Sequence, residues 1–267
     1  MYLSKKDWDR YIKKLSNINN EASKLIADYI EKKGVEDIEA LLKYSYEVTK
    51  KYSTASAAMN AMMYDRIAEL EGVNLPPATL AASPTYGDVA KSVQGTLKTS
   101  QNPYEIGGAV GRLVKMTGQD TMLDNALRDR AEYAWIPVGE TCAFCITLAA
   151  NGWQPMSKAA LENGHAQHIH SNCDCSYMVR HTQDFDIRGY QPLKYKNMYD
   201  NADTSSYGFD ENRPRGKQWQ NLSTAKINGM RREFYAENKA KINAQKASAE
   251  EKRKELNSSK AEETNVN

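Results

Sequence analysis

Four classes of protein are excluded by what this chain lacks. Its 267 residues contain no run of about 18 apolar side chains, so no helix is predicted to span a membrane. Lys and Arg number 36 against 34 Asp and Glu, which is too balanced for a globally basic packaging protein. The nucleotide-binding patterns G-x-x-x-x-G-K-[ST] and G-x-G-x-x-G are absent, as is the H-E-x-x-H pattern of common metalloproteases.

Cysteine is scarce, and its setting favours metal binding over disulfide formation. The N-terminal segment is charged from its fifth residue and lacks the apolar stretch of a secretory signal, so we expect the chain to remain in a reducing cytosol. Disulfides rarely persist there, and a chain of this length can bury a sufficient core without them. The four cysteines are therefore better candidates for metal ligands or redox groups.

Hydrophobic periodicity predicts an α+β protein that is predominantly helical and begins with a long helical hairpin. Apolar residues recur at helical spacing over two stretches, and Gly34 between them is a natural helix stop. Gly72 and the prolines at 76 and 77 end the second stretch. Two long helices joined by a short turn pack antiparallel, so the predicted hairpin covers residues 1–72.

Three methionines, Met59, Met62 and Met63, cluster at helical spacing in the second helix of the hairpin. Methionine fills irregular gaps in cores and is also common at adaptable binding surfaces. Packing in the core is the favoured interpretation, and a docking surface is the alternative.

Residues 73–134 are predicted to form a connection followed by helices. A short helix is expected at Tyr86–Leu97, and a longer helical pattern runs from Glu105 toward Tyr133. Gly118 lies inside the longer pattern, where glycine is unfavourable, so we expect it to break or kink that helix.

Composition divides the rest of the chain into four regions. They are a zinc-knuckle core at 135–182, an irregular Tyr-rich arm at 183–225, a charged helix at 226–256 and a disordered tail at 257–267. The charged helix carries a short apolar stripe: Ile227, Met230, Phe234 and Tyr235. Its charges are of mixed sign, which is typical of a solvated helix, although its basic residues also suit contacts with DNA phosphates.

All four cysteines and all four histidines fall between Cys142 and His181. Their pattern is C-x2-C followed by H-x-H-x2-C-x-C. Thiolate and imidazole ligands select Zn²⁺ over Mg²⁺ or Ca²⁺, and two ligand pairs at such spacing close a tetrahedral site. The candidate ligands are Cys142, Cys145, His170, Cys173 and Cys175.

Several alternatives remain open within this cluster. Cys175 competes with Cys173 for the fourth position, and His168 competes with His170. The thiols can also be packed as small apolar groups, or Cys142 and Cys145 can form a redox pair. The two remaining histidines, His165 and His181, are expected to be ordinary surface residues. A closed four-ligand shell leaves no open position for chemistry, so we do not expect an enzyme.

The Cys/His segment resembles a signature of the Mu F-like head morphogenesis family, the minor head proteins of phages and prophages, and in particular of those from Gram-positive bacteria. The similar stretches read PVGETCAFCITLAANGW and NGHAQHIHSNCDCSYMV, and the likeness extends over roughly residues 1–245. The family motif usually has proline after its histidine, whereas Ser171 follows His170 here. The resemblance therefore leaves the choice between His168 and His170 open.

The resemblance implies a structural component of a tailed-phage head that binds portal and major capsid proteins. It places the protein in the virion head and, during assembly, in the host cytoplasm, with structural zinc and no catalysis. Two other functions remain as alternatives. One is a zinc-dependent DNA-binding protein that acts in packaging or ejection through the basic C-terminal helix, and the other is a Cys/His-dependent hydrolase.

Overall fold

The computed structural model describes residues 1–138, 141–159, 175–209 and 219–239. This part of the chain is mostly helical, as predicted. The helices are α1 (Lys5–Lys33), α2 (Ile38–Glu71), α3 (Tyr86–Leu97), α4 (Pro103–Asp129), α5 (Ala143–Ala149), α6 (Pro192–Asp200) and α7 (222–239). The strands are β1 (Tyr2–Leu3), β2 (Glu132–Ile136), β3 (Gln154–Pro155), β4 (Ser176–Arg180), β5 (Asp186–Ile187), β6 (Gly208–Phe209) and β7 (Trp219–Gln220).

The chain forms two compact units. The first comprises Met1–Thr141 with Leu148–Lys194, and the second comprises Cys142–Thr147 with Tyr195–Asn267. No helix of the described ranges has both the length and the apolar character needed to cross a membrane.

The predicted N-terminal hairpin is confirmed. Helix α1 ends at Gly34, whose φ of 74° is readily adopted only by glycine. After a short turn, Asp37 begins α2 by accepting the backbone N–H of Ala40 at 3.0 Å. Gly72 ends α2 in the left-handed conformation. The stop signals in the sequence are therefore the structural stops.

Helix α3 matches its predicted bounds, because its first turn carries a complete capping box. Thr85 accepts the backbone N–H of Asp88 at 3.2 Å, and the Asp88 carboxylate accepts the backbone N–H of Thr85 at 2.9 Å. Helix α3 contributes two valines to an apolar core shared with α1, α2 and α4. The buried residues of this shared core are Ala22, Ile26, Ile30, Leu41, Leu42, Val48, Val89, Val93, Ile106, Val110 and Val114.

The prediction that Gly118 breaks its helix is wrong, since α4 is continuous through it. Gly118 lies where α4 approaches α2, and an added Cβ would be under 3.0 Å from Asn60 Nδ2 and Ser56 Oγ. At Gly107, an added Cβ would be equally close to the carbonyl oxygen of Ser23 in α1. The glycines of α4 thus allow close helix packing, and that gain outweighs their poor helix propensity.

Small polar side chains form a buried seam between α2 and α4. The seam comprises Ser45, Thr49, Ser53, Ser56 and Asn60 of α2 with Thr117, Thr121 and Asn125 of α4. Across it, the Thr117 hydroxyl donates to Ser53 Oγ at 3.2 Å, and the Tyr64 hydroxyl lies 3.0 Å from the Asn125 carbonyl oxygen. Short side chains let the two helices approach closely, and hydrogen bonds offset the cost of burying most of them. The Ser45 hydroxyl is the exception, since it has no hydrogen-bond partner within the described ranges.

Helix α4 is shorter than the pattern toward Tyr133 predicted. It ends at Asp129 because Arg130 adopts a left-handed conformation with φ of 53°. Tyr133 instead lies in β2, which pairs antiparallel with β3 and β4, so that Trp135 lies opposite Tyr177. Burial does not alternate along β2, since Ala134, Trp135 and Ile136 are all buried, so a period of two gave no signal for this strand.

The stretch predicted as an irregular arm contains a helix. Helix α6 begins at Pro192, whose fixed φ suits the first turn, and Lys196 pairs with Asp200 at 2.6 Å one turn later. Strand β5 of the same stretch pairs parallel with β1. Tyr195, Met198 and Tyr199 recur at helical spacing on α6 and pack against the apolar cluster of the second unit, but this stripe is too short to stand out from the polar residues around it.

The charged C-terminal helix is present as α7. Met230 is buried beside Ile227 and Phe234, as the apolar stripe predicts. Tyr235, assigned to the same stripe, is instead 70% exposed. Residues 240–267, which include the rest of the predicted helix and the predicted disordered tail, lie outside the described residues.

A carboxyl group on α4 makes stability depend on pH. Burial, aided by the negative charge of Asp124, raises the pKa of Asp120 to about 6, whereas an unfolded aspartate titrates near 3.9. The folded state therefore binds the proton more tightly, and stability falls as the pH rises from about 4 to about 6. We expect Asp120→Asn to stabilise the protein by about 2 kcal/mol at pH 7.5 and much less at pH 3.5.

Urea unfolding of the Asp120→Asn variant at several pH values measures this effect. Asp184→Asn, which changes an exposed carboxyl, is the matched control and should follow the wild type throughout. An Asp120→Asn variant whose stability kept the wild-type pH dependence would contradict the prediction.

Candidate metal centre

Cys142 and Cys145 lie in one turn of the second unit. Cys142 immediately precedes α5, and its carbonyl oxygen accepts the first helical hydrogen bond from Ile146 at 3.0 Å. Its sulfur accepts the backbone N–H of Cys145 at 3.5 Å. This contact holds the two cysteines of the C-x2-C pattern in a single turn. The local geometry fits one half of a zinc site.

The C-x2-C turn is fixed by packing inside its own unit. Ala143 and Ile146, which alternate with the cysteines on α5, are buried against Ala202 and Met230. Cys145 is itself 1% exposed, and Cys142 is half-buried. The sequence analysis missed these supporting residues, although the spacing of Ala143, Ile146 and Ala149 was a weak helical signal.

Cys175 lies in the first unit, directly before β4. Its sulfur accepts the backbone N–H of Val138 at 3.4 Å, where the chain leaves β2. The pairing of Ile136 with Ser176 in the adjacent register position sets this contact. Cys175 is 1% exposed and, like the other two cysteines of the described ranges, carries a thiol.

A buried glutamine holds the start of β4 in place. The Oε1 atom of Gln119 in α4 accepts the backbone N–H of Tyr177 at 2.6 Å, and its Nε2 donates to Ser176 Oγ at 2.8 Å. Gln119 is 1% exposed. This side chain therefore anchors the residues that immediately follow Cys175, and nothing in the sequence pattern singled it out.

We expect Gln119→Leu to destabilise the first unit by about 1–3 kcal/mol, because two buried hydrogen bonds lose their partner. Chemical denaturation measures the loss, and amide exchange at Tyr177 should accelerate. Gln94→Leu, an exposed position on α3, is the control and should change little. A Gln119→Leu protein as stable as the control would show that this anchor is unimportant.

The structure brings together only some of the predicted ligands. His168, His170 and Cys173 lie outside the described residues, as does His165. Within the ranges that the structure describes, no group of three or more His, Cys, Asp or Glu side chains is placed to hold a metal ion. Since half of the predicted cluster is outside those ranges, the zinc site remains a prediction.

His181 is not the ordinary surface residue that was predicted. Its ring packs edge-on against the buried Tyr64, with 5.2 Å between ring centroids, and its backbone N–H donates to the Glu71 carboxylate at 2.9 Å. Burial lowers the pKa of His181, and the nearby Glu71 and Asp129 carboxylates only partly counter that effect. This histidine belongs to the packing where α2 and α4 end.

The origin of the chain is decided by comparison with protein families. The sequence model of the VG15 protein family matches residues 2–202, which is most of the chain. The chain belongs to the VG15 protein family. This is a family of phage gene products, so the chain is a phage-encoded protein, in agreement with the phage origin that the resemblance implied. No curated protein and no solved structure matches this VG15 family member.

Proposed function

We propose that the chain is a minor head protein of a tailed phage or prophage, of the Mu F-like type, that binds portal or major capsid protein during head assembly. The observation that carries the proposal is the VG15 match over residues 2–202. The Cys/His signature is the reason for choosing the head over other parts of the particle. The role is structural, with no catalytic step.

Exposed aromatic and apolar side chains on the first unit support a role in protein contacts. Tyr104 is 70% exposed and Leu193 is 74% exposed, and Tyr2 and Leu80 are about half exposed. Protein interfaces are enriched in tyrosine and methionine relative to the remaining surface. Side chains of this kind suit a subunit that becomes part of a larger assembly.

The second part of the proposal is a structural zinc ion. The ligands would be Cys142 and Cys145, completed from His170 or His168 and from Cys173 and Cys175. Zinc bound by thiolates and imidazole contributes folding free energy to loops that have little core of their own. The turn at Cys142 presents its two thiols in a form consistent with that role.

Contacts within the second unit favour a structural role for α7 over DNA binding. The ammonium of Lys226 lies 3.6 Å from the Asp200 carboxylate and over the ring of Tyr199. Arg232 forms an ion pair with Asp203. Basic side chains that already have acidic partners contribute less to phosphate binding than unpaired ones.

The proposal is tested by mass spectrometry of purified DNA-filled heads from the phage that encodes the chain. We expect peptides of this protein in the heads, at far lower copy than the major capsid protein, and defective heads when the gene is deleted. Complementation with the wild-type gene should restore them. Absence of the protein from heads that form and fill normally would overturn the proposal.

A second measurement separates the alternatives. The DNA-binding alternative requires an affinity for DNA that falls steeply with salt concentration. A hydrolase requires turnover that a Cys145→Ala variant abolishes. We expect neither property from the purified full-length protein.

A further inference from the structure

A groove runs between α1 and α2 on the first unit. It has a volume of about 640 Å³ and is lined mainly by one stripe of each helix. The lining extends from Asp7 to Lys14 on α1, with Leu3 of β1 beside it, and from Met59 to Glu69 on α2. Each stripe spans at least two helical turns, about 10 Å or more, which is the length that a short helix needs to lie along it.

The apolar part of the groove is the methionine cluster. Met62 is 67% exposed, and Met59 and Met63 are only partly buried, so the prediction that the three pack in the core is wrong for Met62. Buried Leu3 and Tyr11 lie beneath them, and the Tyr11 hydroxyl donates to Asn60 at 2.7 Å. Flexible thioether side chains over a fixed floor are typical of surfaces that receive an apolar helix face.

The carboxylates at the rim of the groove are already bound within the chain. Asp7 accepts the Ser4 hydroxyl at 2.7 Å, and Asp65 accepts the backbone N–H of Ala78 at 2.8 Å. Glu69 pairs with Arg66 at 3.0 Å. Each negative charge at the rim therefore has a local donor.

The cations on the α1 side of the rim have fewer carboxylate partners within the described part of the chain. Among the residues that the structure describes, no carboxylate lies within ion-pair distance of the Lys14 ammonium. Arg10 has only a long contact, 3.7 Å, with Asp7, which is already engaged by Ser4. The groove thus combines an apolar floor with two cations, Arg10 and Lys14, on its α1 side.

We propose that this groove binds an amphipathic helix of a partner protein, with apolar side chains facing the methionines and carboxylates facing Arg10 and Lys14. The apolar contact supplies affinity, and the charge match sets the direction and the choice of helix. The inference goes beyond the proposed function, because it holds whichever protein contributes the helix.

The test is titration of the full-length protein, labelled with ¹³C at its methionine methyl groups, with two synthetic peptides followed by NMR. Both peptides are 15-residue helix formers with leucine on one face. One has glutamate on the flank and the other has lysine at the same positions. Single Met→Leu variants assign the signals of Met59, Met62 and Met63.

We expect the glutamate peptide to shift the three groove methyl signals, and the lysine peptide to bind at least about tenfold more weakly. Lys14→Glu should reduce affinity for the glutamate peptide by roughly tenfold or more and strengthen binding of the lysine peptide. Lys24→Glu, the same charge reversal at an exposed position farther along α1, should leave both affinities unchanged. Circular dichroism verifies that both variants are folded.

Three results would overturn the proposal. The first is the absence of any shift at the groove methionines, and the second is equal affinity for the two peptides. The third is concentration-dependent shifts of the same signals without peptide, accompanied by dimers in sedimentation, because a second copy would then be the occupant. The outcome is independent of whether the protein is found in phage heads.

Discussion

A Gly107→Ala variant is expected to lose about 3 kcal/mol of stability, although alanine is the better helix former. The added methyl group would lie under 3.0 Å from the Ser23 carbonyl oxygen and 3.1 Å from its carbon, both in the backbone of α1. A backbone atom cannot rotate away as a side chain can, so α1 and α4 must separate. Their separation would loosen the core that both helices share with α2.

Chemical denaturation measures the effect, and the matched control is Gly95→Ala on α3. An added Cβ at Gly95 has no atom within 4 Å, so this change should stabilise the protein by about 0.5–1 kcal/mol. If Gly→Ala lowers the stability at position 107 and raises it at position 95, then α4 requires glycine at position 107 because of close helix packing. If both variants were more stable than the wild type, that result would contradict the close contact between α4 and α1.

Loss of a zinc ligand is expected to have an effect of similar or greater size. If the proposed site exists, the purified protein contains one zinc per chain, and Cys145→Ser removes it. Structural zinc contributes on the order of 10 kcal/mol in small zinc domains, so we expect the thermal midpoint to fall by roughly 10 °C or more. Elemental analysis and thermal unfolding of the same samples measure both effects.

His181→Gln separates metal loss from general destabilisation. His181 is held by packing against Tyr64, so its replacement should lower stability and leave the zinc content at one per chain. Chelation of the wild type should reproduce the Cys145→Ser result. Two results would rule the site out. One is a full zinc content of one per chain in the Cys145→Ser protein, and the other is a wild-type thermal midpoint that does not change when a chelator is added.

The sequence was sufficient to predict helix ends and the apolar core where local signals and burial agree. Gly34 and Gly72 end the hairpin helices, and the capping box at Thr85 begins α3, because each acts on the backbone of its own turn. Helix periodicity likewise located the apolar core. These are short-range effects that need no knowledge of the partner surface.

The sequence was insufficient where a residue's role depends on what lies opposite. Gly118 was expected to interrupt a helix, but it faces Asn60 across a close helix contact. His181 was expected at the surface, and it packs on Tyr64 from a distant part of the chain. For the metal centre, the spacing of Cys142 and Cys145 indicated their shared turn, whereas the anchoring by Gln119 depends on a tertiary contact with β4.

The buried seam between α2 and α4 has a mechanical consequence. Two of its contacts join the helices, so a slip of one helix along the other by a turn would separate Thr117 from Ser53 and Tyr64 from Asn125. A seam of apolar side chains would tolerate such sliding better, since apolar contacts are not directional. The contact between α2 and α4 is therefore built to resist shear along the helix axes.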